Sequence, residues 1–355
     1  MSNTQAVMAN TKRQVSLGLL LLLCLAGVTD LQAQTNQISR FIDKPLEEPV
    51  SVPDWFKLSF LDLYDDIDEA VADGKDGLII YFGQKYCPYC KAHMQINWGN
   101  PDIVKYTRER FDVIAIDVKG SRNITTVDGH VYEEKEFSVL HKTNFTPSLL
   151  FYNDNKEIVL KLQGYHPPYR FRAALEFVSD RHYEKETFRE YLSRAEMADS
   201  FGKNKLNKHT AFMPSPYILD RSKIPAGRPL AVFFEQPRCH ACDVLHAGPL
   251  SKDLITDDLK KMDVVQLDMQ SETRLITPGG RKITAAQWAR ELDLYYAPTI
   301  IFFDGQGKEI LRINSVVWLY RLKNILEYIL SDAHKKFETY QLWRQYIGRK
   351  KSSIE

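Results

Sequence analysis

Four of the chain's five cysteines fall into two pairs of identical spacing, Cys87-Pro88-Tyr89-Cys90 and Cys239-His240-Ala241-Cys242; the fifth, Cys24, lies in an apolar N-terminal run. Each pair follows a strand-like apolar stretch and opens a helix-like one. A thiol at a helix N-terminus meets the positive end of the helix dipole and unpaired backbone N–H groups. Both favour thiolate and draw the thiol pKa from about 8.5 to between roughly 3.5 and 7.5. Thiolate is the attacking species in disulfide exchange, and two intervening residues let the second sulfur close a small ring on the first. Cys87 and Cys239 are therefore the expected nucleophiles, with Cys90 and Cys242 resolving the mixed disulfides. Pro88 suits the first helical position, where its fixed φ fits and its missing N–H costs nothing. Pro88, Tyr89, His240 and Ala241 are the positions expected to tune the two sites. A protonated His240 would favour thiolate on Cys239, or it would stand exposed with no role. Lys85 and Arg238 would add positive potential or simply mark exposed loop ends.

Cysteine pairs also bind metal, and a copper or zinc chaperone is the alternative reading. Zinc pairs usually sit on short knuckles about 12–20 residues apart. Here they occupy matching places in two distant segments, so one shared ion would need those segments face to face. A single-segment site would draw on His93 or His246, each of which reads equally as an ordinary surface or core histidine. Lys91 and Asp243, not His, follow the second cysteines, so no haem attachment is expected, and no organic cofactor motif is present. A second shared mark is a proline. Thr146-Pro147 and Ala297-Pro298 each precede an apolar strand, where proline is natural at the first residue, and the X-Pro bond is one that can be cis. Pro147 lies 60 residues after Cys87 and Pro298 lies 59 after Cys239. That match favours a role in holding substrate backbone for Thr146, Pro147, Ala297 and Pro298.

The elements that must position these residues recur along the chain. Leu78-Ile79-Ile80-Tyr81-Phe82 and Leu230-Ala231-Val232-Phe233-Phe234 stand ahead of the cysteine pairs, 152 residues apart. Asp112–Asp117 is answered by Asp263–Asp268, Thr126-Val127-Asp128-Gly129 by Thr277-Pro278-Gly279-Gly280, and Phe145–Phe151 by Tyr296–Phe302. Five landmarks in one order at one offset indicate a duplicated domain, with a period far longer than a solenoid repeat. Each copy reads strand, cysteine helix, strand, turn, helix, proline, strand, turn, strand, helix. The last turns, Asn153-Asp154-Asn155-Lys156 and Asp304-Gly305-Gln306-Gly307, carry residues that tolerate positive φ, as a tight hairpin needs.

A 355-residue chain of 44% hydrophobic and 26% charged residues can build two cores, and pervasive disorder is excluded. The net charge of +1 lacks the broad basic field that nucleic-acid binding needs; Arg349, Lys350 and Lys351 suit a solvated helix end. Lys12 and Arg13 precede an uncharged run from Val15 to Val28, shorter than the roughly 20 residues of a membrane span. Asp30 and Leu31-Gln32-Ala33 follow. This order of positive, apolar and small-residue regions is that of a secretory signal peptide cleaved near Ala33, so export to the periplasm or extracellular space is expected, without stable membrane insertion. An exported protein stapled by disulfides would scatter its cysteines; pairing all of them at short range points to chemistry. The expected layout is a signal peptide at 1–33, a loose arm at 34–50, a first domain at 51–183, a charged and partly helical connector at 184–210, and a second domain at 211–348.

These residues resemble the thioredoxin superfamily, and within it exported domains of the disulfide-isomerase and sulfur-oxidation type, over about 78–180 and 229–332. Such proteins share a Cys-Pro-Tyr-Cys type of site, a Val-Asp-Gly-like turn and a Thr-Pro strand start. The resemblance implies an α/β fold of two tandem thioredoxin-like domains, each a central mixed sheet flanked by helices. It also implies cis bonds at Pro147 and Pro298 and dithiol–disulfide exchange with protein thiol or disulfide substrates, supplied by an upstream redox partner. Two departures stand out. The buried acid usual six residues before the first cysteine is replaced by Tyr81 and Phe233, and the usual preceding Trp by Tyr86 and Arg238.

Overall fold

The computed structural model describes residues 41–195 and 205–352; the expected leader, residues 34–40 of the arm and residues 196–204 of the connector lie outside them. In the first domain, Asp62 opens helix α1 (Leu63–Ala72) by accepting the backbone N–H of Tyr64 and Asp65, the usual role of an N-cap carboxylate. Strand β1 (Gly77–Gly83), α2 (Pro88–Ala92), a π-helical turn (His93–Asn97), α3 (Pro101–Arg110) and β2 (Phe111–Asp117) follow. The chain continues through β3 (Asn123–Thr125), β4 (Val131–Glu133), α4 (Glu134–Leu140), β5 (Ser148–Asn153), β6 (Ile158–Gln163), α5 (Pro168–Ser179) and α6 (Phe188–Ala195).

The second domain has β7 (Tyr217–Ile218), β8 (Leu230–Glu235), α7 (His240–Ala247), α8 (Asp253–Leu259), β9 (Asp263–Asp268), β10 (Arg274–Ile276) and β11 (Lys282–Thr284). It ends with α9 (Ala285–Glu291), β12 (Thr299–Phe303), β13 (Glu309–Ile313), α10 (Leu319–Leu330) and α11 (Tyr340–Ser352). Among the described residues no helix is long and apolar enough to cross a membrane.

The two four-stranded sheets share one topology, β2-β1-β5-β6 and β9-β8-β12-β13, beside a small β3-β4 hairpin and a three-stranded β11-β10-β7 sheet. Within the four-stranded sheets the β1–β2 and β8–β9 pairs are parallel and the rest antiparallel. A parallel pair needs a crossover connection, and in each domain the cysteine-bearing helix begins it. Strand β1 is buried at every residue, as a strand covered on both faces must be. That continuous apolar run is legible in the sequence; α1 is not, and of α11 the sequence shows only the basic C-terminal end at Arg349, Lys350 and Lys351. In the β5–β6 turn the left-handed residue is Lys156, not an Asn or Asp. Asn153 supports the turn through its side-chain oxygen, which accepts the N–H of Asn155 and Glu157. In the second copy Gly307 takes that conformation.

Residues 43–50, expected within a loose arm, are tied down. Leu46 N–H donates to Tyr86 O at 3.2 Å and Val50 N–H to Lys85 O at 2.6 Å. The Asp43 carboxylate accepts the N–H groups of Tyr320 and Arg321 in the first turn of α10, where free amide donors and the dipole both favour an anion.

The two domains meet across equivalent residues. Gly164 of one packs on Ser315 of the other, and Val316 N–H donates to Tyr165 O at 3.1 Å. Gly164 and Ser315 match at the repeat offset, as do Tyr165 and Val316. Contact between matching residues is the signature of a two-fold arrangement, here between duplicated halves of one chain. Arg170 at the start of α5 donates to the Tyr295 carbonyl at 3.1 Å, and its counterpart Arg321 on α10 donates to the Thr146 carbonyl at 2.8 Å. Phe145 of the first domain is buried within an apolar cluster otherwise drawn from the second, which includes Phe302, Ile325, Tyr340 and Trp343.

Candidate functional site

Cys87 and Cys90 are joined by a disulfide, as are Cys239 and Cys242, with Cα–Cα distances of 5.1 and 5.2 Å. Each nucleophile position is the N-cap of its helix. Cys87 Sγ accepts the N–H of Cys90 at 3.0 Å, and Cys239 Sγ that of Cys242 at 3.0 Å. An amide hydrogen bond and the positive end of a helix both stabilise a sulfur anion over a thiol. Attack and leaving at these two sulfurs are therefore eased in either redox direction.

The proline loops close the sites from the other side. The Thr146–Pro147 and Ala297–Pro298 bonds are cis, as is Ser215–Pro216. Cys87 Sγ lies 3.5 Å from Thr146 O and 3.3 Å from Thr146 Oγ1, whose hydroxyl also accepts from Gln84 Nε2 at 2.8 Å. Cys239 Sγ lies 3.6 Å from Ala297 O. The structure thus brings all four cysteines and both proline loops into two equivalent clusters.

The clusters differ in what surrounds them. At the first, Pro88 and Tyr89 are buried. Tyr89 OH donates to Asp43 Oδ2 at 2.7 Å and accepts from Trp318 N–H at 2.9 Å, while the Arg321 guanidinium lies 3.4 Å from its ring centre. Tyr89, singled out as a tuning residue, is an inter-domain contact whose phenol burial pushes up further still above its ordinary pKa. Thr146, singled out for substrate backbone, is fully buried and its carbonyl already takes Arg321. At the second, His240 is exposed and Ala241 half-buried. Cys239 retains 8% exposure against 2% for Cys87. Arg170 reaches Tyr295 O, two residues short of Ala297, so Ala297 is not capped as Thr146 is. Lys85 and Arg238 are both exposed.

The missing buried acid has different replacements in the two copies. In the first, Tyr81 stacks on the buried His93, their ring centres 6.1 Å apart. His93 is pushed down to about 3 by burial and by nearby His166, so it is a neutral core group. In the second, Glu235 at the end of β8 is fully buried, 2.9 Å from His246 Nε2 and accepting from Gln266 Nε2 at 3.0 Å. The sequence signal for Glu235 is an acid closing an otherwise apolar strand, two residues beyond Phe233, the position at which the family pattern places its acid. Among the described residues no group of three His, Cys, Asp or Glu side chains is arranged to hold a metal ion.

A sequence profile of the thioredoxin-like domain matches residues 63–179 and again 222–330. Among solved structures, similarity is found to a thioredoxin-fold protein from Helicobacter pylori, with 20% identity, 40% of this chain and 87% of that one covered, and a TM-score of 0.32. A thioredoxin from Thermus thermophilus has 23% identity over 34% and 88% of the two chains, TM-score 0.27. A disulphide isomerase from Xylella fastidiosa has 16% identity over 42% and 99%, TM-score 0.23. No curated protein matches the chain.

Proposed function

The chain belongs to the thioredoxin-like domain family and is a thiol–disulfide oxidoreductase with two tandem domains, and from that premise we propose that it works outside the cytoplasm on protein disulfides, in the reducing direction. The observation that carries the chemistry is the paired N-cap geometry, with both nucleophilic sulfurs accepting a helix amide at 3.0 Å. The Cys87 or Cys239 thiolate attacks a substrate disulfide, whose sulfur leaves as a thiolate. Cys90 or Cys242 then attacks the mixed disulfide, releasing the second substrate thiol and closing the ring. Reduction consumes the dithiol, so a donor must restore it. The absence of His between Cys87 and Cys90 supports the reducing direction, and the order of charge, apolar run and Ala33 near the N-terminus supports export,.

Titrating each pair against glutathione or dithiothreitol with thiol trapping tests the direction. Potentials of roughly −200 to −270 mV are expected, and values near −120 mV would make the protein an oxidant instead. N-terminal sequencing of the protein recovered from the periplasm should begin near Gln34; recovery from the cytoplasm with an intact N-terminus would remove the export reading.

A further inference from the structure

The surroundings of the two sites differ most beside the nucleophiles. At the first, the carbonyl beside Cys87 is taken by Arg321, the intervening Pro88 and Tyr89 are buried, and Asp43 closes over Tyr89. The carbonyl that an extended polypeptide would pair with beside Cys87 is thus already engaged. What remains is a pocket of about 550 Å³ between the domains, bordered by Cys87 but not Cys90. That is within the roughly 300–1,000 Å³ of small-molecule sites. Three cations line it, Lys119, Arg321 and Arg344. Arg344 donates to Tyr320 OH and to Asn324 Oδ1, both neutral. Lys119 is exposed overall and makes no side-chain hydrogen bond or ion pair among the described residues; partial desolvation, reinforced by Arg344, lowers its pKa against the pull of Asp117. Asp43 is the carboxylate on the wall, and it is committed to Tyr89 and to the amides of Tyr320 and Arg321. A cationic pocket that ends on a reactive sulfur selects a small anion carrying sulfur.

Resting on the thiol–disulfide reading, we propose that Cys87–Cys90 exchanges with a low-molecular-weight thiol bearing carboxylates, held in this inter-domain pocket, while protein disulfides meet Cys239–Cys242. The ligand thiolate attacks Cys87 Sγ and the Cys87–Cys90 bond breaks, leaving Cys90 as thiolate. A second ligand thiolate attacks the ligand sulfur of the mixed disulfide and releases Cys87. Two ligand thiols become one ligand disulfide, the protein disulfide becomes a dithiol, and the two protons pass to Cys87 and Cys90.

The test uses two full-length variants, Cys239→Ser/Cys242→Ser to isolate the first site and Cys87→Ser/Cys90→Ser to isolate the second. Each is reacted with glutathione (anionic) and with cysteamine (cationic) at matched thiolate concentration, and with insulin as a protein disulfide in the presence of dithiothreitol as the reductant. The first site should favour glutathione by about tenfold, an electrostatic gain of the usual size. That preference should collapse in high salt and in Lys119→Gln/Arg344→Gln, and insulin should be turned over only through the second site. Equal rates with the two small thiols, or insulin reduced through the first site as fast as through the second, would overturn the proposal. The salt dependence decides the matter even if the charge variants fold poorly. Failure of the first site to react with dithiothreitol as well would remove the underlying redox reading along with it.

Discussion

His93 and His166 are both buried, bridged by Asn97, whose Nδ2 lies 2.9 Å from His93 Nδ1 and donates to the His166 carbonyl at 3.0 Å. Burial holds each at a pKa of about 3, helped for His93 by His166 and for His166 by Arg170. In the unfolded chain both would titrate near 6.5. Between pH 6.5 and 3 the unfolded state therefore binds more protons than the folded one, and stability falls as pH falls through that window. From pH 6.5 to 5, where carboxylates barely titrate, the loss should be about 1.5 kcal/mol for each histidine. Urea midpoints at pH 7, 6.5 and 5 measure it, and the drop should shrink in His166→Leu. A flat profile over that range would mean these groups titrate normally. His93 entered the sequence reading only as a possible metal ligand or an ordinary histidine. Its neutrality follows from packing against Trp98 and Phe171, with ring centres 4.4 and 4.7 Å away, which no local pattern announces.

At the scale of elements, the cysteine helices α2 and α7 were legible because an apolar strand, a turn and a Pro or polar residue at the helix start lie next to one another along the chain. The start of α10 was not. Its cap comes from Asp43, 277 residues away from Tyr320, and a carboxylate in an irregular arm gives no hint of the helix it serves. Asp43→Ala should cost about 2 kcal/mol, combining a lost helix cap with an orphaned partner for the Tyr89 hydroxyl. Denaturant unfolding of the reduced and oxidised protein checks this. A change within about 0.5 kcal/mol, the range of an ordinary surface substitution, would show that the arm is a passenger on α10.

The molecule as a whole is organised by a contact that crosses between its duplicated halves. Phe145 belongs to the first domain by sequence but packs in the second, 5.7 Å from the Tyr340 ring. Phe145→Ala should destabilise by about 3–5 kcal/mol, the usual range for a fully buried phenylalanine. Hydrogen exchange should quicken in α11, which Phe145 touches through Tyr340, more than in α9, whose Trp288 packs in the other core cluster of that domain. Unchanged exchange in α11 would mean the halves are only loosely apposed.

Spacing along the chain was enough to recognise two Cys-x-x-Cys pairs, two proline-led strands and a repeat near 151 residues, and with them the fold, because each of these features involves neighbours in sequence or a pattern copied whole. The unlikeness of the two sites belongs to the tertiary structure. Arg321 and Thr146 stand 175 residues apart and Asp43 and Arg321 stand 278 apart. An arginine on a helix has the same local sequence whether it faces water or a neighbouring domain. Only the docking of one half on the other places its guanidinium over Cys87's loop and leaves the corresponding loop beside Cys239 uncapped.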